Sequence, residues 1–418
     1  MVSASANERT FRKRSLFNVQ NTRKVPVPDF RYLIVGGGMT ADAAVRGIRL
    51  KDPAGTVALF TSEPHPPYKR PPLSKALWKG DPVESAWLNT PAGNLTMFTS
   101  RTVRSLDPVK KLVTDDTGAS FEYARLLLAT GARPRRLPFD VEGIIYYRTL
   151  DDYLALQKLK GGEVVVIGGG FIGSEIAAAL ALNETKVTMV FPDDGMCARI
   201  FPPGISRFVT SYYESKGVVV LAREGVAALK KEEGKFVARL RSGRELRADG
   251  VVAGIGVEPD RSLAHSAGLK TDDGIEVDEF LRTSDTNVFS AGDAASFFNA
   301  ALGKRMRVEH EDNATTMGEC AGRNMAGDAV AYHHMPFFYS DLFDLGYEAV
   351  GELDVRHEVV EQWKEENREG VIYYLAYGRV RGVLLWNTWG QVDAARDLIA
   401  QKGPFTAGSV RGKLPAKN

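Results

Sequence analysis

Apolar, β-branched runs that stop at a glycine recur along this chain. Tyr32-Leu33-Ile34-Val35 ends at Gly36 and Val164-Val165-Val166-Ile167 ends at Gly168, and each is followed by small residues with helical rather than alternating periodicity. A short apolar run bounded by a glycine turn and a helix predicts a parallel strand buried on both faces. By the same reading Thr56 to Phe60, Lys186 to Val190, Val251 to Gly256 and Asn287 to Asp293 are short strands, and an alternating run near Arg125 to Ala129 is another. From about Ala331 the pattern changes. Aromatic residues become frequent, and alternating runs at Val371 to Leu375 and Val380 to Trp386 flank Tyr377-Gly378, which predicts a hairpin. Strand and helix alternating, then a hairpin-rich segment, predict an α/β fold with a C-terminal α+β domain.

The glycine turns add chemistry. GGGMTA from Gly36 to Ala41 and GGGFIG from Gly168 to Gly173 each join a strand to a helix, the context in which this spacing binds a dinucleotide. The first glycine makes the tight turn and the second (Gly38, Gly170) lets backbone approach a pyrophosphate. The third position (Ala41, Gly173) lets helix pack on strand. Two such units predict two Rossmann-like dinucleotide-binding domains. The first spans residues 29–150 and 257–330, the second 151–256, and the C-terminal domain 331–418.

Composition narrows the class. A net charge of +2 on 418 residues gives no pull toward nucleic acid, and no apolar run approaches the length of a membrane span. Cys197 and Cys320 form no disulfide framework, zinc spacing or CxxC, so no metal is expected and a reducing compartment is. Residues 1–28 set Arg9, Arg12, Lys13, Arg14, Arg23 and Lys24 against Glu8. They read as a flexible basic arm in a cytoplasmic protein, or as a transit peptide in a mitochondrial one.

The order GGGMTA, PPYKRPPLSK (Pro66 to Lys75), ATGARP, GGGFIGSE, GIGVEPD, SAGDAA and RVEHEDNA resembles flavin- and nicotinamide-binding reductases of the glutathione-reductase superfamily. With AGRNMAG, YSDLFDLGYEAVG and VLLWN it is most similar to apoptosis-inducing factor and its bacterial homologues, and in its first half to ferredoxin reductases. The resemblance implies FAD on the first unit and NADH on the second. It implies that Arg70 and Lys75 lie along the flavin, that Lys75 pairs with Glu175, and that Phe171 covers the flavin face until nicotinamide displaces it. Glu309 and His310 match the pair beside nicotinamide and flavin, and Ala129, Thr130, Gly131 and Gly256 fall in the matched loops. Asp293, read as a helix N-cap before Ala294-Ala295, would accept from flavin ribityl hydroxyls.

Two positions depart from the family. The acidic residue that grips the FAD ribose is replaced by Ser62, with Glu63 next to it, so either Glu63 takes the role or the ribose is held less tightly. The aromatic that is Trp before Ser-Asp in the family is Tyr339 here, and the long acidic insertion of the animal proteins is absent between Gly351 and Tyr373. Disulfide reductases carry a CxxxxC roughly 30 to 40 residues after the first fingerprint for dithiol relay. Residues 60 to 90 contain no cysteine, which argues against that chemistry.

Asp193 and Asp194 follow the strand after the second fingerprint, with no Arg or Lys before Arg199. A carboxylate there accepts from a ribose 2′-hydroxyl and repels a 2′-phosphate, so NADH is expected over NADPH; a solvated Asp pair would leave the choice open. The expected activity is hydride transfer from NADH to FAD. The acceptor is open: a quinone, dye or oxygen in a slow reaction, as for apoptosis-inducing factor, with a homodimer on reduction as one partner; or an acidic ferredoxin steered by a basic rim of Arg133, Arg135, Arg136, Arg305 and Arg307. A flavin-bound scaffold with NADH as a conformational signal is the non-enzymatic alternative.

Overall fold

The computed structural model describes residues 27–139 and 141–414, so nearly all of the basic arm lies outside the described residues. Asp29–Val35 is the centre of a seven-stranded sheet. Val57–Phe60 and then Leu95–Phe98 pair in parallel on one side, and Ser120–Leu128 pairs on the other. Ser120–Leu128 is long enough for two partners on its far edge. Its first part takes Leu112–Asp115 antiparallel and its last part takes Val288–Ser290 in parallel, which returns the chain to this sheet. Tyr32 to Val35 and Val57 to Phe60 are all buried, because helices Met39–Lys51 and Glu311–Met325 cover one face and Leu106, Leu263 and Ile275 the other.

The two helices meet backbone to backbone. A Cβ on Gly47 would stand 2.2 Å from the Glu319 carbonyl oxygen, and one on Gly322 2.1 Å from that of Ala44. This contact sets Glu309 and His310, just ahead of Glu311–Met325, close to the first fingerprint.

The second parallel sheet runs Val219–Leu221, Lys186–Val190, Glu163–Ile167, Gly250–Ala253. Helices Phe171–Leu182 and Pro203–Ser215 pack on one face, and the antiparallel strands Val226–Glu232, Lys235–Leu240 and Glu245–Ala248 on the other. Both sheets have a parallel, Rossmann-like core, to which the first adds antiparallel strands at one edge.

The C-terminal sheet is antiparallel, in the order Phe337–Leu342, Leu345–Gly351, Arg379–Trp386, Glu369–Ala376, Glu358–Glu365. Its hairpin pairs Ala376 with Arg379, leaving Tyr377 and Gly378 at φ of 55° and 67°, the left-handed pair of a type I′ turn. Val371 to Leu375 departs from the expected alternation, since every position is buried. Ile372 and Tyr374 pack toward Phe171–Leu182 and Pro203–Ser215, while Val371 and Tyr373 pack toward Val392–Ala400, so the strand is covered on both faces.

The reading of Asp293 as a helix N-cap is also corrected. Gly292–Ala294 is a single 3₁₀ turn, and Ala295–Asn299, with Phe297 and Phe298 at its centre, leaves it as a strand between Gly274–Glu276 and Lys304–Met306. Among the described residues no helix is long and apolar enough to cross a membrane.

Candidate functional site

The first fingerprint is shaped around what it leaves open. Gly36, at φ 126°, lies so close to the neighbouring strand end that a Cβ would sit 2.0 Å from the Ala129 carbonyl oxygen. In front of Gly38 a Cβ would meet nothing within 4 Å. The second fingerprint repeats this: a Cβ on Gly168 would stand 2.2 Å from Gly254 O and one on Gly173 2.1 Å from Gly168 O, while Gly170 faces open space. Each turn is thus tight against protein at its first glycine and bare at its second, which fits a pyrophosphate approaching backbone N–H groups.

Gly36, Gly38, Ser62, Glu63, Arg70, Lys75, Ala129, Thr130, Gly131, Phe171, Glu175, Asp293, Glu309, His310 and Tyr339 all line one cavity of about 1190 Å³. Ala41 is buried behind it in the helix–sheet core. Gly168, Gly170, Gly173, Asp193 and Gly256 do not line it; they lie at the turns of the second sheet, and Gly256 accepts from the Arg135 amide at 3.0 Å.

Lys75 and Glu175 meet beneath this cavity. Lys75 Nζ lies 2.6 Å from Glu175 Oε1, both side chains nearly buried. Ser74 Oγ donates to Glu175 Oε2 at 2.5 Å and Ser340 Oγ to Oε1 at 2.6 Å. Arg70 is held by Glu63 at 2.6 Å, by the Tyr68 hydroxyl at 3.1 Å and by the Arg148 carbonyl at 2.7 Å. The Tyr68 hydroxyl takes the other Glu63 oxygen at 2.5 Å. Each Glu63 oxygen therefore already has a donor within the chain, and Ser62 stands exposed at the strand end. Arg148 Nη2 binds Asp293 Oδ2 at 2.7 Å.

Phe171 opens the second helix 36% exposed, its ring 5.0 Å from that of Phe338. His310 stacks on Phe338, with ring centroids 4.3 Å apart. Burial pushes the His310 pKa down to about 4, and its Nδ1 is enclosed without a partner. Burial raises the pKa of Glu309 against the pull of Arg307, and that of Glu311 against Lys69. The ring of Tyr339 stands 5.3 Å from Lys75 Nζ and is 37% exposed.

Other expectations change. Asp194 does meet a cation: Arg223, just past Val219–Leu221, reaches it at 2.7 Å. The basic rim is also thinner than expected. Arg307 is nearly buried between Asp273 and Glu309, Arg305 donates to the carbonyls of Val277 and Ser296, and Arg133 lies 3.5 Å from Asp260. Cys197 and Cys320 are buried, with pKa values pushed up to about 12 and about 11. Ser74, Arg148, Phe338 and Ser340 were not anticipated. Ser74 and Ser340 stand inside PPLSK and YSD, beside residues that were; Arg148 carries no local signal.

The donor set fits FAD in the cavity and a nicotinamide dinucleotide on the second turn. A family model for pyridine nucleotide-disulphide oxidoreductases matches residues 30–318. Mitochondrial apoptosis-inducing factor 1 of Dictyostelium discoideum is 34% identical over 424 residues, covering 90% of this chain and 79% of that protein. Rubredoxin-NAD(+) reductase of Ectopseudomonas oleovorans is 31% identical, covering 84% of this chain and 93% of that one. The solved ferredoxin reductase for the CYP199A2 system of Rhodopseudomonas palustris superposes with a TM-score of 0.84 at 30% identity, covering 92% of this chain and 98% of that chain. With matched fingerprints, a shared cavity and this coverage, the chain belongs to the pyridine nucleotide-disulphide oxidoreductase family.

Proposed function

We propose that this FAD-dependent NAD(P)H oxidoreductase takes hydride from NADH on the Phe171 side of its cavity and passes electrons to an acceptor at the Tyr339 edge, as an apoptosis-inducing-factor-like enzyme. Bound FAD supplies the redox chemistry. The chain supplies position and charge. Gly36 and Gly38 present backbone to the FAD pyrophosphate, with Arg70 beside them, and Asp293, oriented by Arg148, accepts from the ribityl hydroxyls. Phe171 keeps water from the reacting face until the nicotinamide takes its place. Asp193 accepts from the ribose 2′-hydroxyl of NADH. Lys75, balanced by Glu175, places a nearly buried cation where negative charge grows as electrons arrive. The observation that carries this reading is the Lys75–Glu175 pair at 2.6 Å in the cavity that the first fingerprint opens into. With both cysteines buried and outside that cavity, electrons do not pass through a dithiol.

A small electron-carrier protein is the second reading for the acceptor. It is supported by Tyr339, half-open beside Lys75, and by the 98% coverage of a ferredoxin reductase. Rapid mixing with NADH tests both. A stable long-wavelength charge-transfer band with slow turnover supports the first reading, fast bleaching with ferredoxin turnover supports the second, and no reduction of the flavin refutes both.

A further inference from the structure

Glu175 sits where three parts of the chain meet. It lies on the second turn of Phe171–Leu182 and is 5% exposed. Ser74 and Lys75 reach it from the segment after Pro71, and Ser340 from Phe337–Leu342, the edge strand of the C-terminal sheet. Oε1 is shared by Lys75 and Ser340, each at 2.6 Å. Neighbours on a strand point to opposite faces. Tyr339 therefore faces the other way, with its ring 5.3 Å from the same Lys75 ammonium. The contacts close a circuit from Lys75 to Glu175, to Ser340, through one peptide bond to Tyr339, and back to Lys75.

We infer that Ser340 is a positioning residue that divides Glu175 between Lys75 and the C-terminal sheet, and so couples the acceptor-side strand to the charge beside the flavin. This rests on the role given to Lys75 and Glu175 above. Two donors on one carboxylate oxygen compete. With the neutral Ser340 hydroxyl in place, the ammonium is less fully drawn onto the carboxylate and keeps its reach into the cavity; without it, Lys75 and Glu175 form a tighter and more self-neutralising pair. The other titratable groups around Glu175 are Tyr147, Cys197, Tyr213, Tyr339 and Tyr347, and burial pushes the pKa of each one up. They stay neutral, so charge around Glu175 resides in its pair with Lys75, while on the Tyr339 side the Glu311 carboxylate also faces Lys75 and accepts from the Tyr339 hydroxyl at 3.5 Å. The Tyr347 side chain, fully buried and paired across the sheet with Ser340, makes no hydrogen bond to Glu175.

The test uses the full-length, FAD-loaded protein and reads the flavin midpoint potential beside the NADH reduction rate. Ser340→Ala should lower the potential and slow reduction about threefold to tenfold, with the dissociation constant for NADH unchanged within about twofold. Ser340→Thr, which keeps the hydroxyl, should restore both within about twofold. Should Ser340→Ala fail to load FAD, Ser340→Cys, with a weaker donor, should give the same shift in smaller measure. Ser340→Ala and Tyr339→Ala should combine non-additively in the potential. The inference is overturned if Ser340→Ala matches wild type while Lys75→Met does not, if Ser340→Thr is as impaired as Ser340→Ala, or if the two substitutions add. If Lys75→Met is also silent, the role of the Lys75–Glu175 pair itself has failed.

Discussion

Replacing Lys75 by methionine removes the ammonium and keeps most of the stem, which isolates the charge. At 2.6 Å from Glu175, in a medium of effective dielectric constant about 20, the two charges attract by about 6 kcal/mol before desolvation is counted. Breaking a buried pair by removing one partner typically costs about 3 to 5 kcal/mol, because the other charge stays buried. Here Ser74 and Ser340 go on donating to Glu175, so the cost should be about 2 to 3 kcal/mol. Lys75 is also the cation beside the cofactor. Losing about 1 to 3 kcal/mol of stabilisation of the reduced form lowers a two-electron potential by roughly 20 to 65 mV. Glu175→Gln leaves the ammonium unpaired and should move the potential the other way, and the double variant should not equal the sum. Dye-coupled potentiometry gives the potential and urea unfolding the stability. Midpoints of both single variants within about 10 mV of wild type, with unchanged NADH reduction rates, would sink the assigned role.

Three further outcomes are expected. NADH should reduce the flavin at least about tenfold more efficiently than NADPH, a difference of about 1.4 kcal/mol; because Asp194 is already paired with Arg223, Asp193→Asn should narrow the ratio most, and equal efficiencies in the unmodified protein would refute the carboxylate argument. Asp293→Ala should lose FAD and leave Arg148 unpaired, checked by the absorbance of the purified protein; stoichiometric yellow FAD in the variant would count against it. His310, held neutral with its pKa pushed down from 6.5 to about 4, takes up a proton at higher pH in the unfolded chain. Stability linked to it is therefore complete above pH 6.5 and falls by up to about 3 kcal/mol as pH drops toward 4. Urea unfolding of His310→Gln should lack that part of the slope, and parallel pH profiles for the two proteins would refute the assignment.

The parts of the fold legible in the sequence were those fixed by local rules. A β-branched run ending at glycine can be little other than a buried parallel strand meeting a helix, and Asp29–Val35 and Glu163–Ile167 are such strands. Tyr377-Gly378 needed only a two-residue turn with both φ positive. Where two local rules competed, the reading slipped. Asp293 before two alanines looks like a helix start, but the β-forming Phe297-Phe298 that follows takes the chain into a strand. Arg223 was invisible as a partner of Asp194 because the contact depends on the second and third strands lying side by side, which spacing along the chain does not state.

Ser340 shows where a signal was present and unread. Along Phe337–Leu342 the inward row is Phe338, Ser340 and Leu342, and the outward row Phe337, Tyr339 and Asp341. A strand slipped by one residue would turn Tyr339 toward Glu175 and Ser340 away from it. The apolar flanks of Ser340 argue for the observed register, and they bury a hydroxyl in a row that offers no acceptor of its own. A buried hydroxyl needs one. It therefore has to come from the surface packed against the strand, and on helix Phe171–Leu182 that surface carries Glu175. Ser74, buried at the end of the 3₁₀ turn Pro71–Ser74, donates to the other oxygen of that carboxylate. Two buried serines thus converge on one buried anion, and an anion so placed in turn requires the cation that Lys75 supplies.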